Sequence, residues 1–163
     1  MTYPLKSGDL SSSDSKKGIM SKVSQVQKKV QSILSSELGS VNVDADGNLK
    51  ITYESTALVI TTFEFGKKSD ETIIEVTGVV SMDTPASPKL YKYLNDKNAA
   101  LHFGALHHGQ GTNSSIILLK YSILGDFLDP EELLNAVRAV ILMSDLLDDE
   151  ITKEFGGTRF IDR

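Results

Sequence analysis

The segment TALVITTFEFGKKSDETIIEVTGVVSM, residues 56–82, decides the fold class of this 163-residue chain. It contains two runs rich in Val, Ile, Thr and Phe, residue types that favour β-strands, and the charged sequence KKSD lies between them. Because this connection is short and polar, the two runs are predicted to pair as antiparallel strands.

The preceding segment, SVNVDADGNLKITYES (40–55), predicts further strands of the same kind. Apolar and polar residues alternate on both sides of Asp46-Gly47, a dipeptide typical of two-residue hairpin turns. DADGN also resembles the start of a calcium loop, but Ser55 stands where such a loop needs a glutamate, so calcium binding is not predicted. Residues 40–82 therefore predict three or four consecutive antiparallel strands.

An amphipathic helix is predicted before these strands. Apolar residues recur at intervals of three and four from Ile19 to Ile33, and Leu34 and Leu38 widen the stripe. Gly39 is a typical helix terminator. The stripe is too short for a coiled coil, so we expect it to pack on the sheet.

A second helix and a second hairpin are predicted after the strands. Ser87 and Pro88 are a typical N-cap and first residue for a helix. The hairpin comprises a strand over residues 101–107, a polar turn, and a strand over residues 116–123.

The segment LDPEELLNAVRAVILMSDLLDDEITKEFGG (128–157) predicts a long last helix. Asp129, Pro130 and Glu132 form a cap, a first-turn proline and a capping-box acid, and Gly156 marks the end. Besides its main apolar face, the helix carries a second stripe. Either the helix is sandwiched within the monomer, or part of it contacts another chain. The candidate partner or dimer surface comprises Leu134, Arg138, Leu142 and Leu146.

The predicted order is α-β-β-β(-β)-α-β-β-α. Runs of strands separated by helices indicate an α+β fold with an antiparallel sheet flanked by helices. We expect a mobile N-terminal tail over residues 1–17, a single domain over residues 18–157, and a C-terminal tail over residues 158–163.

Composition excludes several classes of function. The chain has no cysteine, so a disulfide framework, a thiolate nucleophile and a thiolate zinc site are absent. The net charge is −5 and the lysine excess is confined to residues 1–38, which disfavours nucleic-acid binding by the remainder. No apolar run approaches the ~20 residues that cross a bilayer. We expect a cytoplasmic protein that binds neither nucleic acid nor membrane.

The segment NAALHFGALHHG (98–109) carries all three histidines, His102, His107 and His108. Such a cluster is the basis of an alternative interpretation, a metal-dependent or histidine-assisted enzyme. On an extended strand, however, His102 and His108 would lie about 20 Å apart, and His107 and His108 would point to opposite faces. We therefore predict no catalytic residue, no metal site and no cofactor.

Three segments resemble the bacterial YbjN-like proteins, particularly their actinobacterial relatives. They are VNVDADGNLKITYESTALVI (41–60), DTPASPKLYKYLNDKNAALHFGAL (83–106) and the last-helix segment. The YbjN-like family is similar in fold to the type III secretion chaperones of the CesT class. The motif residues that match are Leu94, Asn95, Asn98, Phe103 and Gly104.

The resemblance implies a curved antiparallel sheet that binds protein segments without catalysis, commonly as a dimer. It also implies roles for the motif residues. Asn95 and Asn98 would bond to neighbouring backbone at the end of the second helix, Phe103 would fill the core, and Gly104 would admit another chain segment. We expect a chaperone-like or regulatory module that acts as a homodimer on a protein or peptide client.

Overall fold

The computed structural model describes residues 20–39, 41–54, 56–66, 70–110 and 115–162. Within them the helices are α1 (Lys22–Leu38), α2 (Pro88–Ala100) and α3 (Pro130–Phe155). The strands are β1 (Asn42–Val43), β2 (Leu49–Tyr53), β3 (Thr56–Glu64), β4 (Thr72–Met82), β5 (Ala105–Gln110) and β6 (Ser115–Leu124). A short 3₁₀ helix, Phe160–Asp162, follows α3.

The six strands form one antiparallel sheet in the order β1-β2-β3-β4-β6-β5. β6 pairs with both β4 and β5, so β5 forms one edge of the sheet. The predicted α+β class, the antiparallel sheet and the element order are confirmed, with four strands before α2.

Local capping chemistry sets the helix ends; those of α2 and α3 lie where the sequence predicts them, whereas α1 begins at Lys22 after a cap that was not predicted. The side chains of Ser21 and Ser87 accept backbone N–H bonds at the starts of α1 and α2. Asp129 accepts from the N–H groups of Glu131 and Glu132, with Pro130 in the first turn of α3. α3 ends at Gly156, whose positive φ of 79° suits a glycine.

Two local predictions are wrong. Asn42–Val43 pairs with Leu49–Lys50, so the turn contains five residues instead of two. The Asp44 carboxylate accepts from the N–H groups of Asp46 and Asn48 and closes this longer loop. The strand predicted over residues 101–107 begins only at Ala105 and runs to Gln110, because Leu101 still caps α2 and Gly104 adopts a positive φ of 71°.

Of the two predicted tails, the structure describes residues 158–162 of the C-terminal one and none of the N-terminal one. The N-terminal tail, residues 1–17, and Ile19 lie outside the described residues. Residues 158–162, assigned to a C-terminal tail, contact the domain: Thr158 and Met82 exchange both backbone hydrogen bonds. Arg159 also pairs with Asp149 of α3 at 2.9 Å.

The three helices cover one face of the sheet. On β4, Thr72, Ile74, Val76, Gly78 and Val80 alternate with less buried residues and are themselves buried. A Cβ on Gly78 would meet α3, and a Cβ on Gly125, next to Thr72, would meet Val26 of α1. β5 turns Leu106 toward the same face, where α2 contributes Leu90 and Leu94 to the core.

The most extensive helix–sheet contact is between α3 and β4. A Cβ added to Gly78 would clash with the Ser144 hydroxyl and lie 2.8 Å from Val140 Cγ1. Ser144 is fully buried, and its hydroxyl has no hydrogen-bond partner. Gly78 therefore sets the separation between α3 and the sheet.

An ion pair anchors the start of α1 to the loop between β6 and α3. Lys22 pairs with the Asp126 carboxylate, which also accepts the Thr72 N–H at 2.7 Å. These two interactions, with Lys22 the larger, hold the pKa of Asp126 below its usual value. The carboxylate thus joins α1, β4 and the β6–α3 loop.

We expect Gly78→Ala to lower the free energy of unfolding by about 1–3 kcal/mol, because the new methyl group overpacks the α3–β4 contact. Adding Ser144→Ala should recover part of this loss, since it removes the nearest clashing atom. Ser144→Ala alone is the matched control and should change stability little, because its hydroxyl makes no hydrogen bond. Urea unfolding measures all three. Equal stability of Gly78→Ala and the parent would contradict this account.

Candidate binding surfaces

The sheet face opposite the helices is defined here as the open face. Its residues alternate with the core residues along β3, β4 and β6, and each of them is half-buried or exposed. They are Val59, Thr61, Phe63, Ile73, Glu75, Thr77, Val79, Ile116, Leu118, Lys120, Ser122 and Leu124. Among the described residues, no helix packs on this face.

The open face carries two apolar clusters. Phe63, Ile73 and Leu124 are direct cross-strand neighbours and form the first cluster. Phe63 and Leu124 are exposed large hydrophobic residues, and exposed Phe65 and Phe127 lie in the adjoining turns. Clustered exposed apolar groups of this kind are typical of interaction sites.

The second cluster lies farther along the same strands. Val79 and Leu118 are directly opposite, and Ile116 follows Leu118 on the same face. Val79 is six positions after Ile73, which corresponds to about 20 Å along β4. Between the clusters, Lys120 and Glu75 form an ion pair at 2.8 Å. The open face therefore presents two apolar sites separated by a polar band.

The sequence itself carries a signal for this face, in the apolar residues of β3 and β4. The runs over residues 56–64 and 72–82 place apolar residues at both odd and even positions. A strand with one solvated face alternates apolar and polar residues, whereas these strands are apolar on both faces. This pattern indicates a second apolar surface but does not by itself say what covers it.

Asn98 caps the outer edge of the sheet. Its side-chain amide donates to the Leu106 carbonyl at 3.0 Å, and its carbonyl oxygen accepts the Leu106 N–H at 2.6 Å. The N–H and carbonyl groups of Leu106 point away from β6 and would otherwise face an added strand. Asn98 therefore takes the place of a neighbouring strand at Leu106. The predicted backbone bonding at the end of α2 thus holds for Asn98, while Asn95 is exposed.

The predictions for two other motif residues, Gly104 and Phe103, have opposite outcomes. Gly104 admits another segment as predicted, because a Cβ there would lie 2.6 Å from the Lys120 carbonyl oxygen. Phe103 does not fill the core: it is 57% exposed and lies against Tyr121. The positive φ of Gly104 turns the chain so that Phe103 stays outside the sheet. Leu94 is buried.

The structure does not bring the three histidines together. β5 continues through His107 and His108, so these side chains point to opposite faces. His108 packs edge-on against Tyr91, with ring centroids 5.2 Å apart, whereas His102 precedes the strand. In the part of the chain that the structure describes, no group of three His, Asp or Glu side chains is arranged to hold a metal ion.

The proposed partner surface on α3 is partly corrected. Leu134 is only 3% exposed and packs in the core, so it does not belong to an exposed stripe. Leu142 and Leu146 are 68% and 65% exposed, and Arg138 is exposed one turn before Leu142. Tyr53, which the sequence did not indicate, lines a small cavity of about 140 Å³ together with Leu142. We define Tyr53, Arg138, Leu142 and Leu146 as the α3 face.

No helix in the described ranges combines the length and the apolar character that crossing a bilayer requires.

Residues 24–163 match the family model TY-Chap1, described as T3SS (YopN, CesT) and YbjN peptide-binding chaperone 1. A comparison with curated protein sequences finds no match for this chain. The fold is similar to that of a chain in the crystal structure of the ExsC-ExsE complex, with a TM-score of 0.62 and 15% identity. This similarity covers 81% of the present chain and 97% of that one.

Two further solved structures show the same fold. The HopA1-SchA chaperone-effector complex matches with a TM-score of 0.56 and 12% identity, over 76% of this chain and 94% of that one. The Yersinia pestis type III secretion chaperone SycH, in complex with a stable fragment of YscM2, matches with a TM-score of 0.52 and 11% identity. It covers 74% of this chain and 98% of that one.

We expect Asn98→Ala to lower the free energy of unfolding by about 1–3 kcal/mol, because it leaves two backbone groups of Leu106 unpaired. It should also promote concentration-dependent association through the uncapped β5 edge. Asn95→Ala is the matched control, since Asn95 is exposed on the same helix, and should change neither property. Urea unfolding and light scattering measure the two effects. An Asn98→Ala protein that matches the control in both would rule out the cap.

Proposed function

The chain belongs to the TY-Chap1 family of type III secretion and YbjN peptide-binding chaperones, and we propose that it binds an extended segment of a client protein along its open face. The observation that carries this proposal is the open face itself. It presents two apolar clusters on a strand pair whose other face already fills the core. The binding is non-enzymatic, in keeping with the family.

The open face favours a client with two apolar groups and a polar spacer. The clusters are about 20 Å apart, a distance that six extended residues span. Between them the client crosses Glu75 and Lys120, whose mutual ion pair leaves little net charge to attract or repel the spacer. Two of the three similar structures are chaperones in complex with an effector or a protein fragment, and the other is the ExsC-ExsE complex, which supports a protein client for this chain as well.

We further propose that two copies pair through the α3 face. Leu142 and Leu146 lie one turn apart, and Arg138 lies one turn on the other side of Leu142. A two-fold antiparallel pairing of α3 centred on Leu142 buries both leucines and places Arg138 of each copy beside Leu146 of the other, where its aliphatic stem covers that leucine. This arrangement is self-complementary and supports a homodimer.

The cytoplasm is the proposed compartment, because a chain without cysteine gains no stability from an oxidising one. No observation on the described residues favours the histidine-assisted enzyme.

The double variant Phe63→Ser/Leu124→Ser should bind client peptides at least about tenfold more weakly, because each truncation removes a central apolar contact. Random peptides displayed on phage are selected on the parent protein, and affinities of the selected peptides are measured by calorimetry. We expect the selected peptides to carry two apolar groups about six residues apart.

The matched control for this experiment is Tyr91→Ser. Tyr91 is also an exposed aromatic residue, but it lies on α2, which packs on the opposite face of the sheet, and it belongs to neither the open face nor the α3 face. This variant should bind the peptides as the parent does. Equal affinity of the double variant and the control would refute the open face as the client site.

Leu142→Glu should convert the homodimer to a monomer with unchanged circular dichroism, because the side chain is exposed and contributes only to the α3 face. Phe127→Glu is the matched control, an exposed apolar-to-acid change on another surface, and should keep the dimer mass. Light scattering coupled to size exclusion measures both. A parent protein that is monomeric, or a Leu142→Glu protein that remains dimeric, would eliminate this interface.

A further inference from the structure

A separate cavity of about 370 Å³ lies on the helix side of the sheet, away from the open face. It opens between the first half of α3 and the end of β6. Its lining residues are Phe103, Tyr121, Glu132, Asn135, Ala136 and Ala139. We call it the aromatic groove. Its volume lies within the range of ordinary small-ligand sites.

Two aromatic rings form one wall of the groove. The rings of Phe103 and Tyr121 lie 5.8 Å apart between centroids and are tilted by 41°. Gly104, the next residue, lies so close to the Lys120 carbonyl oxygen that a Cβ there would be 2.6 Å from it, which excludes any larger residue. The chain therefore keeps the Phe103 ring exposed beside Tyr121, where it offers apolar surface to a ligand.

Small residues of α3 form the opposite wall. Ala136 and Ala139 are three residues apart, so they lie on the same side of the helix. Ala136 is buried, whereas Ala139 is half-buried and faces the groove. Larger side chains at these two positions would fill the space. The groove is open because α3 carries only methyl groups there.

One acid lies at the rim of the groove. Glu132 lies one turn before Ala136, while the side-chain carbonyl of Asn135, also at the rim, accepts from the Arg138 guanidinium at 3.4 Å. Among the described residues, no cationic side chain pairs with Glu132. The nearest lysine in sequence to Tyr121, Lys120, is bound to Glu75 on the open face. An apolar cavity with an unpaired carboxylate at its rim is complementary to an apolar side chain next to a positive charge.

We propose that the aromatic groove binds an aromatic or long aliphatic side chain of the client that is followed by Lys or Arg. The apolar side chain packs between the Phe103–Tyr121 wall and the alanines, and the basic side chain pairs with Glu132. This inference rests on the proposed function and assigns a second contact on the opposite side of the sheet. It thereby specifies part of the client sequence.

The test uses three synthetic hexapeptides, acetyl-GSFRSG-amide, acetyl-GSFESG-amide and acetyl-GSARSG-amide, titrated into the ¹⁵N-labelled full chain. We expect GSFRSG to shift the amide signals of Phe103, Tyr121 and Ala139, with a Kd at least fivefold lower than that of either other peptide. Shifts confined to the open face, or equal binding of the three peptides, would overturn the proposal.

Variants separate the apolar part from the charged part. Ala139→Leu fills the groove and should abolish the shifts, with an unchanged melting temperature to show that the fold is intact. Glu132→Lys should reverse the preference, so that GSFESG binds more tightly than GSFRSG. Glu131→Lys is the matched control, because this neighbouring acid does not line the groove, and it should keep the parent preference. A Glu132→Lys protein that still prefers GSFRSG would exclude a role for Glu132.

The two proposals fail in distinguishable ways. If phage-selected peptides bind the open face while none of the hexapeptides shifts the groove signals, the groove proposal is wrong and the proposed function stands. If selected peptides lose affinity in Ala139→Leu as well as in Phe63→Ser/Leu124→Ser, both surfaces contact the same client. If the parent selects no peptide and binds no hexapeptide, both proposals are wrong.

Discussion

The close contact between α3 and the middle of β4 is the constraint on which the rest of the structure depends. β4 lies between β3 and β6, and Gly78 is the position where a side chain would keep α3 away from the sheet. With no Cβ at that position, Val140 and Ser144 rest directly on the strand. Because α3 lies so near, its apolar face, together with α1 and α2, covers most of one side of the sheet.

One-sided coverage leaves the open face available as the proposed client surface. β3 and β4 are apolar on both faces, yet the described helices protect only one of them. The open face is left with half-buried valine, isoleucine and leucine side chains, which a client segment can cover at a gain in apolar burial. The short Glu75–Lys120 pair keeps the middle of this face polar, so the apolar groups stay divided into two clusters.

A side chain caps the β5 edge of the sheet. Asn98 occupies the hydrogen-bonding groups of Leu106 on β5, which removes part of the template that an added strand needs. At the β5 edge, recognition of a client by side chains is therefore favoured over addition of a strand. The two apolar clusters and the aromatic groove offer such recognition, on opposite sides of the sheet, while the α3 face leaves room for a second copy of the chain.

The sequence by itself determined the types and the order of the elements and the α+β class. Helix caps at Ser87 and Asp129 and the strand residues of 56–82 act through local backbone chemistry, which neighbouring residues decide. The resemblance to the YbjN-like family likewise rested on local motifs. Only the tertiary structure decided which apolar side chains are covered. Leu134 and Leu142 look equivalent along α3, yet one is buried and the other exposed. Phe103 lies outside the core because Gly104 turns the chain against Lys120, a residue distant in sequence. Burial depends on which distant segments pack together, and periodicity along one segment does not contain that information.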